Sequence, residues 1–147
     1  MARIILVTIS INTPIEKVWE KLMNPDNLKH WLTGFVSAEH LTGKIGEAGS
    51  TSKLKFLERG KEMEITETVL QVKPQQQYSF RMKSDTLETE NDIRLISFGH
   101  RTELIHTVQF FPKGFFMKLF MPIIKGAMKK RMANEYFSLK NFIEAKP

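Results

Sequence analysis

The last third of the chain, Gly114 to Ala145, reads GFFMKLFMPIIKGAMKKRMANEYFSLKNFIEA, and nothing else in the sequence could form a helix of that length. Gly114 follows a strand-like run and Pro112, the residues from Lys125 onward are mostly strong helix formers, and Pro147 lies just past the end. At about 100° per residue, Met128, Met132, Tyr136, Leu139 and Ile143 fall on one apolar stripe. Upstream, Phe115, Phe116, Met117, Leu119, Phe120, Met121, Ile123 and Ile124 surround the axis, interrupted only by Lys118 and Lys125. Pro122 at the junction and Gly126 a turn later predict a kink or a fresh start there. Two readings of the all-round apolar segment stand: ordinary core, or the wall and lid of a hydrophobic pocket.

A striped helix needs an apolar surface to cover, and the preceding sequence supplies one. In residues 3 to 11, Ile5, Val7, Ile9 and Ile11 share a face opposite Thr8 and Ser10, the period of a half-buried strand. Thr13-Pro14-Ile15-Glu16 has the make-up of a capping box opening a short helix with Val18, Trp19 and Leu22 inward. Asn24-Pro25-Asp26 repeats the signal for a second short helix through His30, with Leu28 and Trp31 inward.

Residues 33 to 41 read as the next strand, followed by the glycine-rich loop TGKIGEAGS, which lacks the spacing of a phosphate cradle and reads as a flexible turn or pocket rim. Residues 51 to 58 and 61 to 72 form a hairpin turning at Arg59-Gly60. Tyr78, Phe80 and Met82 alternate on a further strand, and Ser84-Asp85 marks its turn. Residues 88 to 98 alternate less cleanly, and after Gly99-His100 the run 101 to 111 places Leu104, His106, Val108 and Phe110 on one face. The expected architecture is α+β: a curved antiparallel sheet of about six to seven strands around the long C-terminal helix, with two short helices after the first strand.

Composition narrows the functional classes. At 147 residues, the chain fits one domain, 1–147, with a sizeable core. The absence of cysteine excludes disulfides, thiolate metal sites and cysteine nucleophiles, and makes the cytoplasm the default compartment. The opening MARIILVTISIN reads as a strand and not as a signal peptide, and no apolar run is long enough for a transmembrane span. The formal charge of +6 includes a cluster of Lys125, Lys129, Lys130 and Arg131 beside the Phe/Met-rich segment. That juxtaposition admits peripheral contact with an anionic membrane or an acidic head group, or simply a solvated face. No nucleic-acid-binding motif accompanies the charge, so no nucleic-acid partner is expected.

Three features together resemble the START-like superfamily known as SRPBCC, and within it the polyketide cyclase/dehydrase type. They are the opening ISINTPIEKVWEKLMNPDNLKHW, the glycine pattern GKIGEAGS before a strand, and the C-terminal set of Gly114, Pro122 and Leu139-Lys140 with Glu144. The resemblance covers nearly the whole chain. It implies a helix-grip fold with a deep, largely apolar cavity between sheet and C-terminal helix, where family members bind lipids, sterols, polyketides and other hydrophobic molecules. Some members are enzymes and others carriers, so the fold alone does not choose.

The pocket side of this arrangement has few reactive groups. No G-x-S-x-G elbow or H-E-x-x-H motif is present, and His30, His40, His100 and His106 have no metal-ligand spacing, so neither metal nor cofactor is expected. His106, on the apolar face of the strongest strand, reads as a satisfied core histidine or as a catalytic base. Glu67 continues the face of Met63 and Ile65 unless a bulge turns it outward. Tyr78 could donate to a ligand carbonyl or stand as an ordinary wall residue. These three are the catalytic candidates.

The expected function is binding of a hydrophobic small molecule by Trp31, Phe35, Phe56, Met63, Ile65, Phe80, Met82, Leu95, Val108, Phe110, Phe120 and Ile124, with Tyr78 and His106 orienting it. The alternatives are a cyclase- or dehydratase-like enzyme working by acid–base chemistry in the same cavity, and a protein- or membrane-interaction module. Monomer and homodimer both remain open.

Overall fold

The computed structural model describes residues 3–145. The chain runs β1 (Ile4–Ile11), α1 (Ile15–Met23), a 3₁₀ turn (Pro25–Asn27), α2 (Leu28–Trp31), β2 (Phe35–Thr42), β3 (Thr51–Glu58), β4 (Lys61–Lys73), β5 (Gln77–Lys83), β6 (Leu87–Phe98), β7 (Arg101–Pro112), α3 (Gly114–Leu119) and α4 (Met121–Glu144). The seven strands form one antiparallel sheet in the order β1-β7-β6-β5-β4-β3-β2. This is the expected helix-grip α+β fold: each strand from β2 on hairpins into the next, and β1 returns to pair with β7.

Period-two patterning sets which face the helix covers. Leu104, His106, Val108 and Phe110 on β7 are buried, and the first three oppose Ile9, Val7 and Ile5 of β1 in register. Ile93 and Leu95 continue that face on β6, while Ile96 and Phe98 point outward. The stripe of α4 meets this surface: Met132, Tyr136, Leu139 and Ile143 are buried, and the helix packs chiefly against β1. Fully burying each such aliphatic side chain stabilises the fold by roughly 1.5–3 kcal/mol.

Turn chemistry positions the edges. Gly34, between α2 and β2, has φ +72°, and a Cβ there would meet the Leu57 carbonyl oxygen at 2.5 Å. This close approach lets the Leu57 N–H donate to the Gly34 carbonyl at 2.7 Å and sets Phe35 opposite Phe56.

Two local expectations change. Thr13 does not cap α1: the helix begins at Ile15 behind an extended Pro14, with no side-chain cap bond. Thr13 is instead buried, and its carbonyl accepts from the Thr102 hydroxyl at 2.8 Å, a tie between the end of β1 and β7. The apolar segment after β7 is neither all core nor all pocket wall: Met121 joins the core and Ile124 packs against it, while Phe115, Phe116, Leu119, Phe120 and Ile123 are exposed. α3 is a separate short helix and α4 restarts with Pro122 in its first turn, so Met121 faces inward while Phe115 (73% exposed), Phe116 (72%) and Ile123 (71%) do not. The six residues of α3 bury no side chain fully, and only Met117 is half-buried. Among the described residues, no helix is long and apolar enough to cross a membrane.

Candidate functional site

The concave face of the sheet brings a chain of rings together beneath α4. Tyr78 stacks on Phe80 at 4.9 Å, Phe80 lies 6.0 Å from the His106 ring, His106 lies 5.6 Å from Tyr136, and Tyr136 stacks on Trp31 at 5.5 Å. The line crosses from β5 through β7 and α4 to α2. Alternation on β5 and β7 supplies three members, the helical stripe supplies Tyr136, and the short α2 delivers Trp31.

A polar thread runs through this aromatic interior. Asn91 donates through Nδ2 to the Thr89 hydroxyl at 3.0 Å, and its Oδ1 lies 2.9 Å from Nε2 of His106. An amide oxygen can only accept, so Nε2 carries the proton and Nδ1 accepts from the Tyr136 hydroxyl at 2.6 Å. Burial lowers the His106 pKa to about 4, so the ring is neutral near pH 7. Both nitrogens are engaged, which is the geometry of a satisfied core histidine.

Glu67 faces inward. It opposes Met82 in register, and the β-bulge falls later, between Val69 and Gln71, so the phase change leaves Leu70 exposed and Glu67 inside. Its Oε1 accepts from the Tyr78 hydroxyl at 3.0 Å. Burial raises the Glu67 pKa above the usual carboxylate value, partly countered by the Tyr78 bond, and burial beside that carboxylate pushes Tyr78 up in turn. The two catalytic candidates on β4 and β5 are therefore one hydrogen-bonded pair, while His106 belongs to a different network.

An open groove of about 530 Å³ lies between the β3–β4 hairpin and α4. Met63, Ile124, Ala127 and Met128 give it an apolar lining, and Glu58, Arg59, Lys61 and Arg131 a charged rim. Arg131 clasps the two sides: it pairs with Glu58 at the hairpin, donates to the Thr33 carbonyl at 2.8 Å and lies 3.5 Å from Glu135. Glu135 is buried, accepts from the Thr33 N–H at 2.8 Å, and has its pKa raised by that burial.

The expected binding residues divide among these regions. Trp31, Tyr78, Phe80 and His106 form the ring line, and Leu95, Val108 and Phe110 lie in the core beside it. Met82 is half-buried against that core. Phe35 and Phe56 meet edge-on at 6.0 Å on the β2–β3 side, where Ile65 opposes Leu54. Met63 and Ile124 line the groove, whereas Phe120 is 47% exposed and lies outside its lining. Sequence reasoning missed Asn91, Tyr136 as a hydrogen-bond donor and Glu135, and it placed Arg131 in the basic cluster without its ties to Thr33, Glu58 and Glu135. Their signals were present: Asn91 continues the phase of Ile93 and Leu95, and Glu135 stands three residues after Met132 and four before Leu139. Among the described residues no cluster of His, Asp and Glu could hold a metal ion.

Comparison with known proteins agrees with this architecture. The profile of a family described as polyketide cyclase / dehydrase and lipid transport matches residues 4–140. No curated protein matches the chain. Among solved structures, the ZhuI aromatase/cyclase from Streptomyces sp. R1128 superposes with a TM-score of 0.82 at 14% identity, covering 98% of this chain and 94% of that one. Protein CV1439 from Chromobacterium violaceum gives 0.80 at 17% identity, covering 98% and 99%. A START superfamily protein from Mycobacterium smegmatis gives 0.78 at 14% identity, covering 96% and 97%. At these identities the similarity establishes the fold.

Proposed function

Because this chain belongs to the polyketide cyclase / dehydrase and lipid transport family, we propose that it binds a hydrophobic small molecule, lipid-like or polyketide-like, through the groove between the β3–β4 hairpin and α4. The observation that carries this reading is the groove's composition. Met63, Ile124, Ala127 and Met128 offer flexible apolar surface, and Arg59 and Lys61 stand where an acidic end group would emerge. The indole N–H of Trp31 adds support: it is buried and has no hydrogen-bond partner among the described residues. Trp31 lies two positions before Thr33, which Arg131 ties to the groove rim. A ligand oxygen reaching inward would satisfy that donor.

A cyclase- or dehydratase-type reaction is the second reading, favoured by the Glu67–Tyr78 pair. A carboxyl group with a raised pKa beside a phenol can exchange a proton with a bound carbonyl compound at moderate pH. His106 is the weaker candidate, since both its nitrogens already have partners.

Native mass spectrometry of the purified protein, followed by organic extraction, tests the binding reading. The expected result is a co-purifying lipid or aromatic polyketide, or a mass shift with a fatty-acid panel, that Ala127→Trp abolishes by filling the groove. A mass that no panel member shifts, or an Ala127→Trp variant that binds like wild type, overturns it. Turnover of a polyketide-type substrate that Glu67→Gln eliminates while ligand binding persists would establish the second reading.

A further inference from the structure

The exposed tip made by α3 and the start of α4 is unlike the rest of the surface in two independent ways. The first is hydrophobic. Phe115 and Phe116 are 73% and 72% exposed, Leu119 is 56% and Ile123 71%, so four large apolar side chains project from consecutive turns. Met121, on the other side of the segment, is buried in the core and Met117 is half-buried, so the tip is anchored through Met121. Contiguous apolar exposure of this kind marks a contact surface.

The second is electrostatic. Between Leu104 and Asn134 the chain carries Lys113, Lys118, Lys125, Lys129, Lys130 and Arg131 and not one acidic residue. Removing those six cations from the total of 22 leaves 16 against 16 acidic residues, so this segment accounts for the whole formal charge of +6. Lys118, Lys129 and Lys130 are exposed. Lys130 follows Ile123 by seven residues, which places cation and apolar group on one face of α4.

We infer that this tip docks on an anionic lipid bilayer, with Phe115, Phe116, Leu119 and Ile123 entering the interface and Lys118, Lys129 and Lys130 meeting the head groups. Aromatic and aliphatic side chains flanked by lysines partition at the boundary between head groups and acyl chains, and each lysine adds attraction to a negative surface. A protein partner would not require the cations to be concentrated around the apolar side chains; an anionic bilayer uses both together. Ile123 at the tip directly precedes Ile124, which lines the groove. The inference does not depend on the groove holding a ligand.

Vesicle co-sedimentation tests it, with phosphatidylcholine vesicles as one arm and phosphatidylcholine–phosphatidylglycerol vesicles as the other. Binding is expected to the anionic vesicles and to weaken at high salt. The pair Phe115→Ser and Phe116→Ser should lower it by about tenfold or more, and Lys129→Gln with Lys130→Gln should reduce it on anionic vesicles. Both pairs are exposed, so thermal melts are expected to match wild type and separate a docking defect from misfolding. Absence of sedimentation with anionic vesicles overturns the inference, as does binding that the serine pair leaves unchanged. A concentration-dependent dimer that the serine pair dissolves, without vesicle binding, would also overturn it and assign the tip to a second copy of the chain.

Discussion

The Tyr136 hydroxyl on α4 donates to Nδ1 of His106 on β7 across 2.6 Å, joining the long helix to the middle of the sheet. The bond is directional because Asn91 Oδ1 holds the proton on the opposite ring nitrogen. Tyr136→Phe keeps the ring against Trp31 but leaves a buried imidazole nitrogen without a donor. A loss of about 1–3 kcal/mol is expected in urea unfolding. A loss within experimental error would mean that the bond is not formed in solution.

His106 makes stability depend on pH with a definite sign. Burial holds its folded pKa at about 4 against an ordinary 6.5, so the unfolded chain takes up a proton first as the pH falls. Stability from the neutral ring is complete above about pH 6.5 and is lost toward pH 4, on the order of 3 kcal/mol over the window. Glu67 and Glu135, whose pKa values are raised by burial, act in the opposite sense as the pH falls. The measurement is therefore the difference between wild type and His106→Gln across pH 4 to 8. The gap should narrow steadily below about pH 6.5; a gap constant with pH would show that His106 titrates normally.

Glu67 carries the reverse sign. Its raised pKa means that ionisation costs more in the folded chain than in the unfolded one, so a penalty develops as the pH rises above 4.5. Glu67→Gln removes that charge and keeps an oxygen for the Tyr78 hydroxyl. The variant is expected to unfold at a higher urea midpoint than wild type at pH 7, with the advantage shrinking on acidification. A lower midpoint at pH 7 would mean that the carboxylate has a stabilising partner at neutral pH.

The sequence carried the sheet more fully than the site. Strand positions such as Leu104 to Phe110 declare their buried face by alternation, and the stripe from Met132 to Ile143 declares the side of α4 that covers it. Pro122 marked the helix restart correctly. Whether Phe115 and Phe116 faced core or solvent was not legible, because an all-round apolar helix has no preferred side and only the burial of Met121 selects one. The direction of Glu67 depended on where a bulge fell, and the extra residue could have been placed on either side of Glu67 without changing the pattern of apolar residues. The Arg131 clasp joins segments nearly a hundred positions apart, a pairing that local periodicity cannot announce.

That clasp leads to a prediction about the groove itself. Arg131 holds Glu58 on the hairpin, the Thr33 carbonyl and the buried Glu135 together, so it fixes both walls at once. Arg131→Ala strips the cation from Glu135 while the carboxylate keeps its Thr33 N–H donor. The Glu135 pKa, already raised by burial, should rise further, because Arg131 is one of the groups holding it down. A destabilisation of about 1–3 kcal/mol is expected at neutral pH, smaller in acid where Glu135 is protonated. Hydrogen exchange should also accelerate at residues 58–61, where the hairpin loses its tie to α4, and stay at wild-type rates in β7. Unchanged exchange at the hairpin together with full stability would show that the clasp does not hold the groove's two walls together.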